Sequence, residues 1–251
     1  MKGLKIRNII LGEGIPKICC SIVGITQEEI LKQAEELYDL SVDIIEWRVD
    51  WYEDCYNEKK IVEILEHLRF ILKDKPIIFT FRTLQEGGKK AVDLDTYCKL
   101  NITAAQSGKV DVIDIEALRD EAMFYEMINR VHQMGQYVIA SNHDFDETPS
   151  KEEMMRRLIY MQEHGADILK IAVMPQSPRD VLTLLEATVE MVEIKATKPV
   201  VTMSMSRQGM ISRIAGETFG SAMTFAAGKT ASAPGQLAVQ VLYEMLNVLH
   251  Q

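Results

Sequence analysis

The sequence predicts an α/β protein of the closed (β/α)8 or TIM barrel class, opened by an N-terminal β-hairpin. Two observations carry that expectation and a third narrows it. From residue 18 onward, eight short β-rich runs alternate with amphipathic segments whose apolar residues recur at helical spacing. The units repeat every ~25–30 residues without a composition break or a Pro/Ser-rich linker, so residues 1–251 read as one catalytic domain. No GxGxxG or GxxxxGKS/T phosphate fingerprint follows any strand, which weakens the alternative of an open doubly wound sheet.

In chain order, residues 5–10 followed by Gly12-Glu13-Gly14 read as a short hairpin placed to plug the N-terminal mouth of the barrel. The expected strands are 18–24, 43–50, 76–82, 110–116, 136–144, 167–173, 199–205 and 222–228. Their near-continuous Ile/Val/Leu content suits parallel strands covered on both faces. The expected helices are 26–38, 57–72, 94–106, 119–134, 150–164, 178–194 and 235–249. Several begin at capping residues such as Thr26, Asn57 and Ser150, and Pro149 and Pro178 suit helix starts, where a missing N–H costs nothing.

Composition excludes several function classes. Apolar residues make up 47% and charged residues 26%, ordinary for a chain that folds throughout. Twenty-eight basic against thirty-seven acidic side chains give a net charge of −9, so no global field draws nucleic acid or an anionic membrane. Cys19, Cys20, Cys55 and Cys98 show no metal-type spacing and no disulfide framework, and read as reduced thiols. The first residues lack the apolar run of a secretion signal, and no stretch approaches the ~20 apolar residues of a membrane span. The expectation is a soluble, cytoplasmic protein.

The chemistry centres on Lys170, a cation in the middle of the apolar run from Ala166 to Pro175. Desolvation in a buried strand favours the neutral amine, a nucleophile towards carbonyl carbon, which suggests Schiff-base catalysis. A strand-end lysine reaching solvent or a carboxylate is the plainer alternative. Side-chain alternation then puts Glu46 and Arg48, Arg82, Asp114 and Glu116, and Lys170 on the inward faces of four strands. They fall late in those strands, at the end where barrel active sites lie.

His143 closes the fifth strand at the same end, placed to move protons near neutral pH, or else to bond a loop carbonyl. Glu86, four residues past Arg82, reads as an orienting partner for that imidazole or as a solvated loop carboxylate. Arg213, with Arg48 and Arg82, offers forked donors for a substrate carboxylate. Small residues around Ser232 and Gln236 suit a loop that closes over a polyhydroxylated ligand. Met203 and Met205 read as core fillers. Glu46, Glu116 and His143 could in principle hold a divalent ion, but arginines beside the carboxylates argue against it, so neither metal nor cofactor is expected.

Taken in order, Glu46-Trp47-Arg48, Phe79-Thr80-Phe81-Arg82, Glu86-Gly87-Gly88, Ser141-Asn142-His143-Asp144-Phe145, Lys170, Ser212-Arg213 and Ala231-Ser232-Ala233-Pro234-Gly235-Gln236 closely resemble the type I 3-dehydroquinate dehydratases, nearly end to end. The resemblance implies a homodimeric barrel of the shikimate pathway of aromatic amino acid biosynthesis, a metal-independent hydro-lyase acting on 3-dehydroquinate. It implies an imine on Lys170, proton transfer by His143 paired with Glu86, and a closing loop from Gly228 to Gln236. Arg213, Ser232 and Gln236 would hold the substrate carboxylate and hydroxyls, with Glu46, Arg48 and Arg82 lining the rest of the pocket. The alternatives are a class I aldolase-type Schiff-base lyase, a metal-dependent isomerase and a non-catalytic binder of small hydroxy acids.

Overall fold

In the computed structural model, which describes residues 3–250, a two-residue turn at Arg7-Asn8 joins β1 (Leu4–Ile6) to antiparallel β2 (Ile9–Leu11). The expected hairpin is present, and its turn falls within residues 5–10, ahead of Gly12-Glu13-Gly14. Arg7 takes the left-handed backbone, φ 49, that reverses the ribbon, and the glycines follow it. Ile6 and Leu11 pack with Ile44, Val112 and Ile168, the first residues of three barrel strands, so the hairpin does plug the N-terminal mouth.

The barrel consists of β3 (Lys17–Ile22), β4 (Ile44–Arg48), β5 (Ile77–Thr80), β6 (Val112–Glu116), β7 (Tyr137–Asp144), β8 (Ile168–Val173), β9 (Val200–Ser204) and β10 (Met223–Ala226). Every pair is parallel and in sequence order, and β10 returns to pair with β3. At the seam between β9 and β10 the Ala222 N–H donates to Val200 O at 2.8 Å, and Ser221 Oγ accepts from Thr202 N–H at 3.1 Å. All eight expected strands are present, a residue or more shorter where their ends enter loops.

The helices are α1 (Gln27–Tyr38), α2 (Glu58–Leu72), α3 (Leu94–Gln106), α4 (Glu121–Gln133), α5 (Lys151–Glu163), α6 (Pro178–Glu190), α7 (Ile211–Ile214), α8 (Gly216–Phe219) and α9 (Val239–Leu249). Thr26 and Glu29 form a reciprocal capping box, and Asn57, Asp93, Asp120 and Ser150 each accept an amide of the first turn. Pro178 occupies the first turn of α6, whereas Pro149 precedes the Ser150 cap and lies outside α5. Two short helices, α7 and α8, fill the seventh unit, where no helix was expected. The last helix starts at Val239 rather than at Gly235, because Ala227 N–H donates to Leu237 O and Val239 N–H to Ala227 O, tying this segment to the end of β10.

Strand parity is as expected. Ile45, Trp47, Ile77, Phe79, Ile113, Ile115, Leu169 and Ile171 pack against the helices. Trp47 and Phe79 meet edge to face at 5.8 Å. Full burial of side chains this size contributes about 1.5–3 kcal/mol each, which fixes the strand register and so the inward face.

Candidate active site

The inward face changes character along the barrel. Its floor is apolar, and its C-terminal half carries charge, because Glu46, Asp114, Ser141 and Lys170 follow Ile44, Val112, Ile139 and Ile168 at the two-residue period. Glu46, Arg48, Arg82, Glu86, His143, Lys170, Arg213, Ser232 and Gln236 all line one cavity at this end. The structure thus gathers every expected site residue.

Lys170 is buried on β8. Its Nζ lies 3.3 Å from Asp114 Oδ2, 3.7 Å from Glu46 Oε1 and 4.5 Å from the centre of the Phe225 ring. Two carboxylates and one aromatic ring therefore face the amine. Glu46 is itself fixed by Ser21 Oγ at 2.6 Å and Thr80 Oγ1 at 2.9 Å. Burial opposes the ionised form of Asp114, but Arg82 and Lys170 outweigh it and hold this carboxyl below its ordinary value.

His143 ends the inward row of β7, and Glu86 reaches it from a single 3₁₀ turn, Leu84–Glu86, after β5. That turn depends on Gly87 and Gly88. Gly87 has φ 81 and no room for a Cβ beside the Phe145 ring, and a Cβ on Gly88 would lie 1.9 Å from Arg82 O. Glu86 Oε2 sits 2.8 Å from His143 Nδ1 and also accepts the His143 N–H at 3.0 Å and an Arg82 N–H at 3.3 Å. Asn142 Nδ2 donates to Oε1 at 3.2 Å. Burial, with Glu116 beside it, pushes the Glu86 carboxyl up to about 8 against the pull of Arg82. Burial, then Arg82, Lys170 and Arg48, hold His143 well below its usual value. Four donors favour the carboxylate while burial opposes it, so one proton is shared on the short Nδ1–Oε2 line. The imidazole remains a base at neutral pH.

The three arginines differ. Arg48 makes a bidentate pair with Asp50, at 2.8 and 2.9 Å. Arg82 contacts Asp114 at 2.7 Å, Glu116 at 3.1 Å and Glu86 at 3.3 Å; burial disfavours its charge, but these carboxylates more than compensate. Arg213 has no carboxylate partner among the described residues. Its contacts are the carbonyls of Phe225 at 3.4 Å and Pro234 at 3.1 Å, with Met203 Sδ at 3.9 Å, and its buried Nε is unpaired. Burial brings its pKa down to about 10, which leaves it a cation at neutral pH. A site that holds an unneutralised guanidinium is built for an anion.

The loop from Gly228 to Gln236 lies over the mouth. Ser232 Oγ donates to Ser21 Oγ at 2.9 Å, and Gln236 Nε2 donates to Ser232 Oγ at 3.0 Å. In this position the free space is about 40 Å³, room for a few waters and less than a six-membered-ring acid needs. Met203 and Met205 pack in the barrel interior and also line the cavity.

Sequence reasoning placed Asp114 inward but gave it no role, although it is the nearest anion to Lys170. Its signal was the same alternation that found Lys170. Phe225 and Ser21 were missed altogether, because an aromatic and a small hydroxyl in a strand look like ordinary packing.

A family model described as type I 3-dehydroquinase matches residues 18–251. The 3-dehydroquinate dehydratase of Clostridium novyi is 51% identical over 250 residues, spanning 100% of this chain and 99% of that one. That of Clostridioides difficile strain 630 is 50% identical over 248 residues, covering 99% and 97% of the two chains. A crystal structure of a Clostridium difficile type I 3-dehydroquinate dehydratase with covalently modified comenic acid superposes with a TM-score of 0.97, at 50% identity over 99% of this chain and 98% of that one. With this match running through the barrel and its charged mouth, the chain belongs to the type I 3-dehydroquinase family.

Proposed function

We infer that this chain removes water from 3-dehydroquinate to give 3-dehydroshikimate through an imine on Lys170, the hydro-lyase step of the shikimate pathway. The observation that carries this reading is one cavity onto which an amine, a carboxylate-held imidazole and an unneutralised guanidinium all open.

In the first step Lys170 passes one proton to His143 and its amine attacks the ketone at ring carbon 3; the carbinol oxygen leaves as water, taking one proton from the nitrogen and the one held by His143, and a protonated imine remains. Asp114 and Glu46 stand beside that nitrogen at 3.3 and 3.7 Å and offset its charge. The imine acidifies carbon 2, because the electron pair left there passes to nitrogen as a neutral enamine. His143 Nε2 takes that proton while Nδ1–H stays on Glu86. The enamine pair then returns to expel the hydroxyl at carbon 1, which leaves as water with the proton held by His143. A second water hydrolyses the imine, so the balance is substrate to product plus one water.

Arg213 supplies the forked donor for the substrate carboxylate, with Ser232 and Gln236 reaching the neighbouring hydroxyls. Admission of a ring acid requires the Ser232–Ser21 contact to open, so the segment from Gly228 to Gln236 acts as a lid. Glu46, Arg48 and Arg82 line the remainder, with Arg82 acting through the carboxylates it neutralises. The barrel works as a single catalytic domain without metal or cofactor. We place it in the cytoplasm as a homodimer; exposed apolar side chains on α9, among them Val241, Tyr243 and Val248, support self-association, and no helix of the described residues is long and apolar enough to cross a membrane. Light scattering on the purified chain decides the dimer.

Incubation with 3-dehydroquinate should produce enone absorbance and a single dehydrated product by mass. Cleavage to smaller fragments would instead assign an aldolase-type lyase.

A further inference from the structure

Arg157, on α5 and outside the cavity, donates to Asn142 Oδ1 at 2.8 Å, and Asn142 Nδ2 donates to Glu86 Oε1 at 3.2 Å. Neither Arg157 nor Asn142 has a part in the reaction derived above. We propose that Arg157 is a positioning residue: it fixes which end of the Asn142 amide faces Glu86, and so keeps the His143 tautomer whose Nε2 is free towards the substrate. The proposal rests on the reading of His143 as the base.

The argument is one of donors and acceptors. A guanidinium has no lone pair, so only the carbonyl end of the Asn142 amide can face it. The NH2 end must then turn to Glu86, where it meets an oxygen that has to accept. A proton on Oε1 would confront those amide hydrogens, so Oε1 stays bare and the shared proton lies on the line between Nδ1 and Oε2. Oε2 already accepts the His143 N–H and an Arg82 N–H, and Nδ1–H completes its set. That leaves Nε2 without a proton. If the amide flipped, two acceptors would face each other, and protonation of Glu86 at Oε1 would become the relief.

Arg157 is held in place for this role. Its Nε donates to Glu153 Oε1 at 2.7 Å, and its NH1 lies 3.8 Å from Asp144 Oδ2. Arg156 and then Arg157 bring the Glu153 carboxyl down to about 2, so this anchor stays ionised through the working pH range. The charged groups around Glu86 are Arg82 following β5, Asp114 and Glu116 from β6, and His143 from β7. Arg157 with Glu153 and Asp144 completes the shell on the α5 side.

The test compares Arg157→Leu, Arg157→Lys, Asn142→Leu and the Arg157→Leu/Asn142→Leu double variant by steady-state kinetics across pH and by 15N chemical shifts of the His143 ring. Arg157→Leu should lower kcat about fivefold to tenfold, the effect of one oriented hydrogen bond, with KM within about twofold of wild type. Its acid limb should move to higher pH, and the Nε2–H tautomer should gain population. Arg157→Lys should recover most of kcat, since an ammonium also only donates. In the Asn142→Leu background, Arg157→Leu should add no further loss. A wild-type tautomer and pH profile in Arg157→Leu would overturn the proposal, as would an equal loss in both backgrounds. If the wild type itself produced no enone, the dehydratase reading would fail, and the ring 15N shifts would still decide whether Arg157 sets the tautomer.

Discussion

Glu86 Oε2 lies 2.8 Å from His143 Nδ1 although the two residues are 57 positions apart in sequence. The same oxygen accepts the backbone N–H of His143. One carboxylate therefore fixes both the place and the tautomer of the imidazole, and the chemistry of the site divides along this contact. In the proposed reaction Lys170 carries the substrate, and the Glu86–His143 pair moves its protons.

Replacing the imidazole should separate these roles. His143→Ala should retain imine formation, trapped as a mass adduct with borohydride, while turnover falls by about 10²–10⁴-fold, the range for a positioned acid–base group. Turnover near the wild-type rate would remove His143 from the proton path.

Glu86 is raised in the folded protein from an ordinary 4.5 to about 8, by burial and then Glu116. A raised carboxyl stabilises the fold below its unfolded pKa and loses that contribution as pH rises through the folded value. Glu86→Gln should therefore gain stability relative to wild type between pH ~4.5 and ~8, followed by urea denaturation at several pH values. Its catalytic acid limb should shift to lower pH, because only the depressed ionisation of His143 remains. A limb that moves to higher pH would contradict the pairing.

Arg213 is a buried cation that awaits an anion. Arg213→Met should raise KM roughly 10–100-fold, the loss of a charge-assisted bond of about 1.5–3 kcal/mol, and should leave the free protein at least as stable as wild type. An unchanged KM would place the substrate carboxylate elsewhere.

Arg82 behaves in the opposite way. Asp114, Glu116 and Glu86 share this one guanidinium, so Arg82→Ala removes the cation common to all three and leaves Asp114 with Lys170 at 3.3 Å and Glu116 with Arg119 at 3.9 Å. A loss of about 3–5 kcal/mol in denaturant unfolding is expected at neutral pH. A loss below ~1 kcal/mol would mean that the carboxylates simply protonate.

The barrel and most of its site were legible in the sequence because strand periodicity is strict. A charge that interrupts an apolar run, such as Lys170 or Glu46, must face the interior once the hydrophobic parity is fixed. The hairpin was legible but the place of its turn was not, because Gly12 and Gly14 carry the usual turn signal while Arg7 adopts the left-handed backbone with no such mark. The start of α9 was misplaced because Leu237 and Val239 bond across to Ala227, a contact between segments with no local signal. The carboxylate pair on Lys170 escaped for the same reason. Alternation places Asp114 inward, but only the barrel's closure brings it to within 3.3 Å of a residue 56 positions later.

The central claim is that Lys170 holds the substrate as an imine. The most direct measurement is the intact-protein mass after 3-dehydroquinate and sodium borohydride, with Lys170→Ala treated alongside and enone absorbance followed without borohydride. The account predicts a single ligand adduct on the wild type, none on Lys170→Ala, and enone from the wild type alone. Enone produced at wild-type rates by Lys170→Ala, or wild-type turnover with no adduct, would contradict it.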